Sequence, residues 1–102
     1  MSEDRWKTYV CGSDSYKIEY RFNTGKGWWE VYAVDKPTNR FNTNINDSHI
    51  CPKTGLICVA KGREPRDFEK AEAIAYLWMQ GFSVYVKTGS FPATGGRVNV
   101  ID

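Results

Sequence analysis

The chain has 102 residues, with 14 Lys and Arg against 12 Asp and Glu, and an isoelectric point near 8.4. That length suits one domain, 1–102, able to bury about 60–70% of its unfolded surface without a metal or disulfide scaffold. The near-balance of charge falls short of the pI of roughly 9 at which a nucleic-acid footprint follows from charge alone, and no apolar run approaches the ~20 residues of a membrane span.

The opening Met1-Ser2-Glu3-Asp4 lacks the charged-then-apolar pattern of a secretory leader, so a cytoplasmic location is expected. Residues 1–7 are polar and read as a loose lead-in, with Trp6 able to tuck onto the body. Thr8 to Cys11 reads as a short strand closed by a Gly12-Ser13-Asp14 turn. The clearest strand follows: Tyr16, Ile18, Tyr20 and Phe22 alternate with Lys17, Glu19 and Arg21, giving one apolar and one charged face. Asn23 to Gly27 is turn chemistry, and Trp28 to Asp35 is the returning strand, with Trp29, Val31 and Ala33 inward and Trp28, Glu30 and Tyr32 outward.

Residues 36–55 are irregular, rich in asparagine (Asn39, Asn42, Asn44, Asn46) and broken by Pro37. An extended piece near Ser48 to Cys51 is expected to pair with Leu56 to Lys61, of which Leu56 to Ala60 resembles a strand buried on both sides.

Glu64 to Gly81 is the one convincing helix. Pro65 suits its first position, Glu64 its N-cap, and Gly81 its left-handed close. At ~100° per residue, Phe68, Ala71, Ile74, Ala75, Trp78 and Met79 share a face. Phe82 to Lys87 then alternates like a strand, with Val84 and Val86 inward and Tyr85 and Lys87 outward. A Gly/Ser/Pro/Thr loop, Thr88 to Gly96, leads to a last strand at Arg97 to Ile101. The expected fold is α+β: an antiparallel sheet of about 4–5 strands packed on a single helix in the C-terminal half, in the order β-β-(β)-β-α-β-β.

Five strands make a sheet roughly 20–24 Å wide, whereas one helix covers about 10–12 Å. Part of the sheet therefore needs another cover. The 36–55 segment is the internal candidate, with Phe41, Ile45 and Ile50 as anchors, and a second copy or a foreign protein is the external one.

Three cysteines, Cys11, Cys51 and Cys58, are expected to be free thiols. His49, Cys51, Cys58 and Cys11 supply four soft ligands. Cys51 and Cys58 stand too far apart in sequence for a zinc knuckle, so neither metal nor cofactor is expected. His49 and Cys51 share a face of an extended piece, but nothing supplies an orienting group or an oxyanion site; no enzyme activity is expected.

Lys17, Arg21, Trp28, Tyr32, Tyr85 and Lys87 would share the solvent face of the sheet, and Phe91 would sit exposed on the 88–96 hairpin tip. Aromatic and cationic residues in that mixture suit a protein partner, since Trp, Tyr and Arg dominate interface hot spots. They equally suit single-stranded nucleic acid, where rings stack on bases and cations meet phosphates. Lys61, Arg63 and Arg66 form a second basic group. The expected function is that of a small non-enzymatic binding protein, with a protein as partner, of the accessory or inhibitory type that phages and mobile elements carry. Nucleic-acid binding is the alternative, and a homodimer is a further possible assembly.

Overall fold

A computed structural model of the chain describes residues 4–37, 49–51, 53–59, 61–91 and 98–100. The chain is α+β. Strand β1 (Arg5–Cys11), β2 (Asp14–Asn23) and β3 (Trp28–Asp35) form an antiparallel meander, helix α1 (Phe68–Thr88) follows, and a three-residue strand β4 (Val98–Val100) pairs with the end of β1. The spatial order is β3-β2-β1-β4.

Period-2 alternation drives the meander. Tyr9, Cys11, Tyr16, Ile18, Tyr20, Trp29, Val31 and Ala33 are all buried on the inner face. β1 begins earlier than Thr8: Arg5, Trp6 and Lys7 are already strand, paired with Tyr20, Glu19 and Ile18. Their polar character hides this in sequence, because Arg5 and Lys7 lie on the inner side at the sheet's margin, over the ring of Phe68 at 4.3 and 5.3 Å.

The helix overturns two expectations. Its N-cap is Asp67, whose Oδ1 accepts the Lys70 N–H at 2.8 Å, while Glu64 instead accepts the N–H of Gly62 at 3.0 Å. A shorter carboxylate side chain reaches the third helical N–H better, which is why Asp outranks Glu as a cap. Nor does the helix end at Gly81. It runs on through the segment expected to be a strand and closes at Gly89, φ 79°, whose N–H bonds to Tyr85 O at 2.8 Å. The reason is a continuous 3.6-residue stripe: Ala71, Ala75, Trp78, Met79, Phe82 and Tyr85 are all buried against the sheet. The alternation of Val84 to Lys87 is four residues long and loses to that stripe.

Gly81 is tolerated mid-helix, at a cost of about 1 kcal/mol relative to Ala, because the Phe91 ring lies where its Cβ would be. Phe91 is therefore no exposed tip residue. It folds back onto α1 and meets the rings of His49 and Tyr85 at 4.6 and 6.3 Å.

The segment after residue 50 is also not a central strand. Ile50 and Ile57 form one antiparallel bridge, and Tyr32 and Leu56 another. Ile57 is buried but Cys58 is exposed. This piece closes the free edge of β3: Ala33 N–H donates to Gly55 O, Ile57 N–H to Val31 O, and Trp29 N–H to Pro65 O, all at 2.8–2.9 Å. Gly55, at φ 81°, sits with its Cα close to the Ala33 carbonyl, an approach a side chain would obstruct. Phe41, Ile45, the four asparagines and residues 92–97 lie outside the described residues.

The width mismatch on the inner face is met by large rings. Tyr16 packs edge-on to Trp78 (5.9 Å), Tyr20 to Phe68 (4.8 Å) and Trp29 to Phe68 (5.4 Å). A layer of rings fills the space between the helix and strands β2 and β3.

Tyr9, Tyr20 and Glu72 pair their polar groups inside this layer. Tyr9 Oη lies 2.6 Å from Tyr20 Oη and donates to Glu72 Oε2 at 2.8 Å, and Lys7 Nζ reaches the same carboxylate at 2.8 Å. Burial pushes the Glu72 carboxyl up, but the hydrogen bonds from Lys7 and Tyr9 prevail and hold it below the usual value. Burial first, then the surrounding hydrogen bonds and charges, push the Tyr9 phenol far above its usual value.

Candidate functional site: the outer face of the sheet

Outward-facing residues of the three long strands form rows set by register. Trp6 on β1, Glu19 on β2 and Tyr32 on β3 stand directly across from one another. On the diagonals lie Lys17, whose Nζ is 5.0 Å from the Trp6 ring, and Arg21, whose guanidinium is 4.7 Å from the Tyr32 ring. Arg21 also forms an ion pair with Glu19 at 2.8 Å. The hydrogen bond to Glu19 is the main cause that raises the Arg21 pKa.

Glu19 is only 4% exposed although it faces outward. It borders a groove of about 530 Å³ lined also by Trp6, Arg21, Tyr32, Val34, Cys51 and Gly55. Trp6 is 48% exposed and Val34 50%. A register shift places Val34 there: Ile18 pairs with Ala33 but Lys17 with Asp35, so Val34 has no cross-strand partner.

Of the residues expected on this face, Lys17, Arg21 and Tyr32 are brought together. Trp28 is half-buried at the hairpin end, beneath Lys26 at 5.6 Å, and borders a different cavity. Tyr85 and Lys87 belong to α1 on the opposite side of the sheet. Tyr85 is 1% exposed, and Lys87 stands 3.9 Å from Asp14. Lys61, Arg63 and Arg66 are exposed in the loop before α1.

Trp6 was not expected here, and Glu19, expected on this face, was not expected to be buried. The signal for Trp6 is the alternation Trp6, Thr8, Val10 against Tyr9 and Cys11, legible once β1 is extended. Nothing in the sequence marks Glu19 for burial, because the cover comes from neighbouring strands and a distant turn.

Among the described residues, no group of three or more His, Cys, Asp or Glu side chains is arranged to hold a metal ion, and no helix is long and apolar enough to cross a membrane. His49 takes a left-handed φ of 59° and its ring packs on Phe91. Comparison with protein-family models, with curated proteins and with solved structures finds no match.

Proposed function

We propose that the chain is a non-enzymatic binding protein that docks a protein partner through the outer face of the sheet, with Trp6, Val34 and Tyr32 as apolar contacts. The supporting observation is the groove itself: two half-exposed apolar side chains flank a carboxylate–guanidinium pair whose charges already cancel. A neutralised, partly apolar centre with cations at its margin has the anatomy of a protein interface. Partner binding would bury Trp6 and exclude water from the Glu19–Arg21 pair, which is how interface centres gain strength. The protein would act by occupying its partner's surface, as accessory and inhibitory factors do.

Single-stranded nucleic acid uses the same residue types, but each outer ring already holds a cation of this chain. A base stacking there displaces the very lysine or arginine that should meet the phosphate. The protein-partner reading is favoured for that reason.

Two baits applied to the same extract of the source cells test it: the native chain and a Trp6→Ala/Val34→Asp variant of unchanged circular dichroism. A protein retained by the first and lost by the second supports the proposal, and equal retention sinks it. A low-salt oligonucleotide titration runs alongside. Binding that weakens steeply with salt and disappears in Trp28→Ala/Tyr32→Ala would assign the face to nucleic acid instead.

A further inference from the structure

Cys51 and Cys58 stand together on the segment that closes the β3 edge. Around the Ile50–Ile57 bridge, Cys51 N–H donates to Leu56 O at 2.9 Å and Cys58 N–H to His49 O at 3.0 Å. Bonds flanking the bridged pair make it the close, non-hydrogen-bonded kind. Ile50 and Ile57 are both buried, so alternation sends their neighbours Cys51 and Cys58 to the other face, diagonal to each other. Both border one cavity of about 340 Å³, whose walls also include Trp28, Leu56 and Pro65. Cys11, in contrast, is buried in β1.

The geometry points to Cys51 and Cys58 as a reversible dithiol site that exchanges with low-molecular-weight disulfides, Cys51 attacking first and Cys58 resolving. The Cys51 sulfur accepts hydrogen bonds from the Thr54 hydroxyl and from the N–H groups of Lys53 and Thr54, and these hold its pKa below the ordinary thiol value. Partial desolvation beside the cavity, and then the charge of Cys51, push the otherwise exposed Cys58 the other way. Near neutral pH Cys51 thus carries more of the reactive thiolate.

In the first step the Cys51 thiolate attacks one sulfur of the small disulfide. A Cys51 mixed disulfide forms, and the other half leaves as a thiolate that takes up a proton. Cys58 then loses its proton to solvent and attacks the Cys51 sulfur, forming the Cys51–Cys58 bond and expelling the second small thiolate. One disulfide is reduced to two thiols while two cysteine thiols are oxidised to one disulfide. The cavity gives the attached group room during the interval between the two steps.

Diagonal neighbours on paired strands lie about 7–8 Å apart at Cα, whereas disulfides span roughly 4.4–6.8 Å. Closure therefore draws the Cys51–Cys58 turn inward, and a bond formed under that strain is readily reduced again. The turn that moves carries Gly55 and Ile57, which hydrogen-bond to β3.

The test treats the reduced full chain with glutathione disulfide, quenches with iodoacetamide at intervals, and maps the peptides by mass spectrometry. The native chain should pass through a brief Cys51 mixed disulfide to a Cys51–Cys58 crosslink, with Cys11 unmodified. Cys58→Ser should stop at a lasting mixed disulfide on Cys51, and Cys51→Ser should react about tenfold more slowly or worse. Thr54→Val, which keeps both thiols, should shift the pH midpoint of the first step upward. Reaction at Cys58 as fast as at Cys51, an equally lasting mixed disulfide in the native chain, or an unmoved midpoint in Thr54→Val would each overturn the assignment.

Discussion

The ring of Phe91 lies against the bare backbone of Gly81, filling the place of a side chain in the second half of α1. A glycine that weakens the helix is thereby turned into a seat for the chain leaving it. The same glycine is what makes the helix look finished in sequence.

Gly81→Ala therefore has a sign that depends on Phe91. In the native chain the new methyl group expels the ring. The loss of its packing outweighs the helix gain of about 1 kcal/mol, leaving the variant less stable by about 0.5–1 kcal/mol. In a Phe91→Ala background the same substitution should stabilise by about 0.5–1 kcal/mol. Urea midpoints of the four proteins in the cycle decide it, and additivity would show that the ring and the glycine do not interact.

Tyr9→Phe removes one hydroxyl and takes a partner from buried Tyr20 Oη and from part-buried Glu72 Oε2, which keeps Lys7. A loss of about 1–3 kcal/mol is expected, well above that of an exposed Tyr→Phe change. Thermal or urea unfolding measures it directly.

Acid should unfold the protein partly through Glu72. Its folded carboxyl is held below the unfolded value, so the stability it brings is full above the unfolded pKa of about 4.3. That stability is lost as pH falls through the folded value. In Glu72→Gln the stability should be lower at neutral pH and should fall less steeply below about pH 4.3. Parallel acid slopes in the two proteins would remove Glu72 from the account.

Alkali acts through the phenols. Tyr9, Tyr16 and Tyr20 are all raised, chiefly by burial. Their contribution to stability is complete below the unfolded pKa of about 10 and shrinks as pH rises beyond it. Absorbance titration should find that Tyr9, Tyr16 and Tyr20 ionise only together with unfolding. Smooth ionisation of all six in the folded state would contradict the buried placement.

On the outer face, Arg21→Ala should destabilise the fold by leaving Glu19 covered and without its cation. The double change with Glu19→Gln should recover part of the loss, because the uncompensated charge is the main cost. A double-mutant cycle by urea unfolding checks this, and a Glu19→Gln effect of the same sign and size in both backgrounds would refute it.

How far the chain could be read in advance varied with the physics involved. Tyr16 to Phe22 was plain because a half-buried strand writes its two faces into alternate residues. The inward set Trp29, Val31 and Ala33 followed in the same way, despite the paired indoles. The helix end was misread because Gly81 carries the sign of a cap while its real function depends on Phe91, outside any local window. Val84 and Val86 suggested a strand because β-branched residues favour one, yet burial of Phe82 and Tyr85 on the helical stripe prevailed. At the candidate site, Lys17, Arg21 and Tyr32 were legible from alternation. Trp6 was obscured by its polar neighbours. Glu19 was legible as an outward residue but its burial was not, since that is decided by a register between strands and by a turn some thirty residues away.

The backbone contacts from Gly55, Ile57 and Pro65 to β3 bear on how this molecule could polymerise. Endless edge-to-edge stacking of sheets requires two vacant sides per molecule, so that each copy can both receive a strand and offer one. With β3 already occupied, the β4 side is the sheet edge left to offer among the described residues. Self-association by strand pairing through that side would therefore be complete at two copies, and a fibre built in that way has no means of growing.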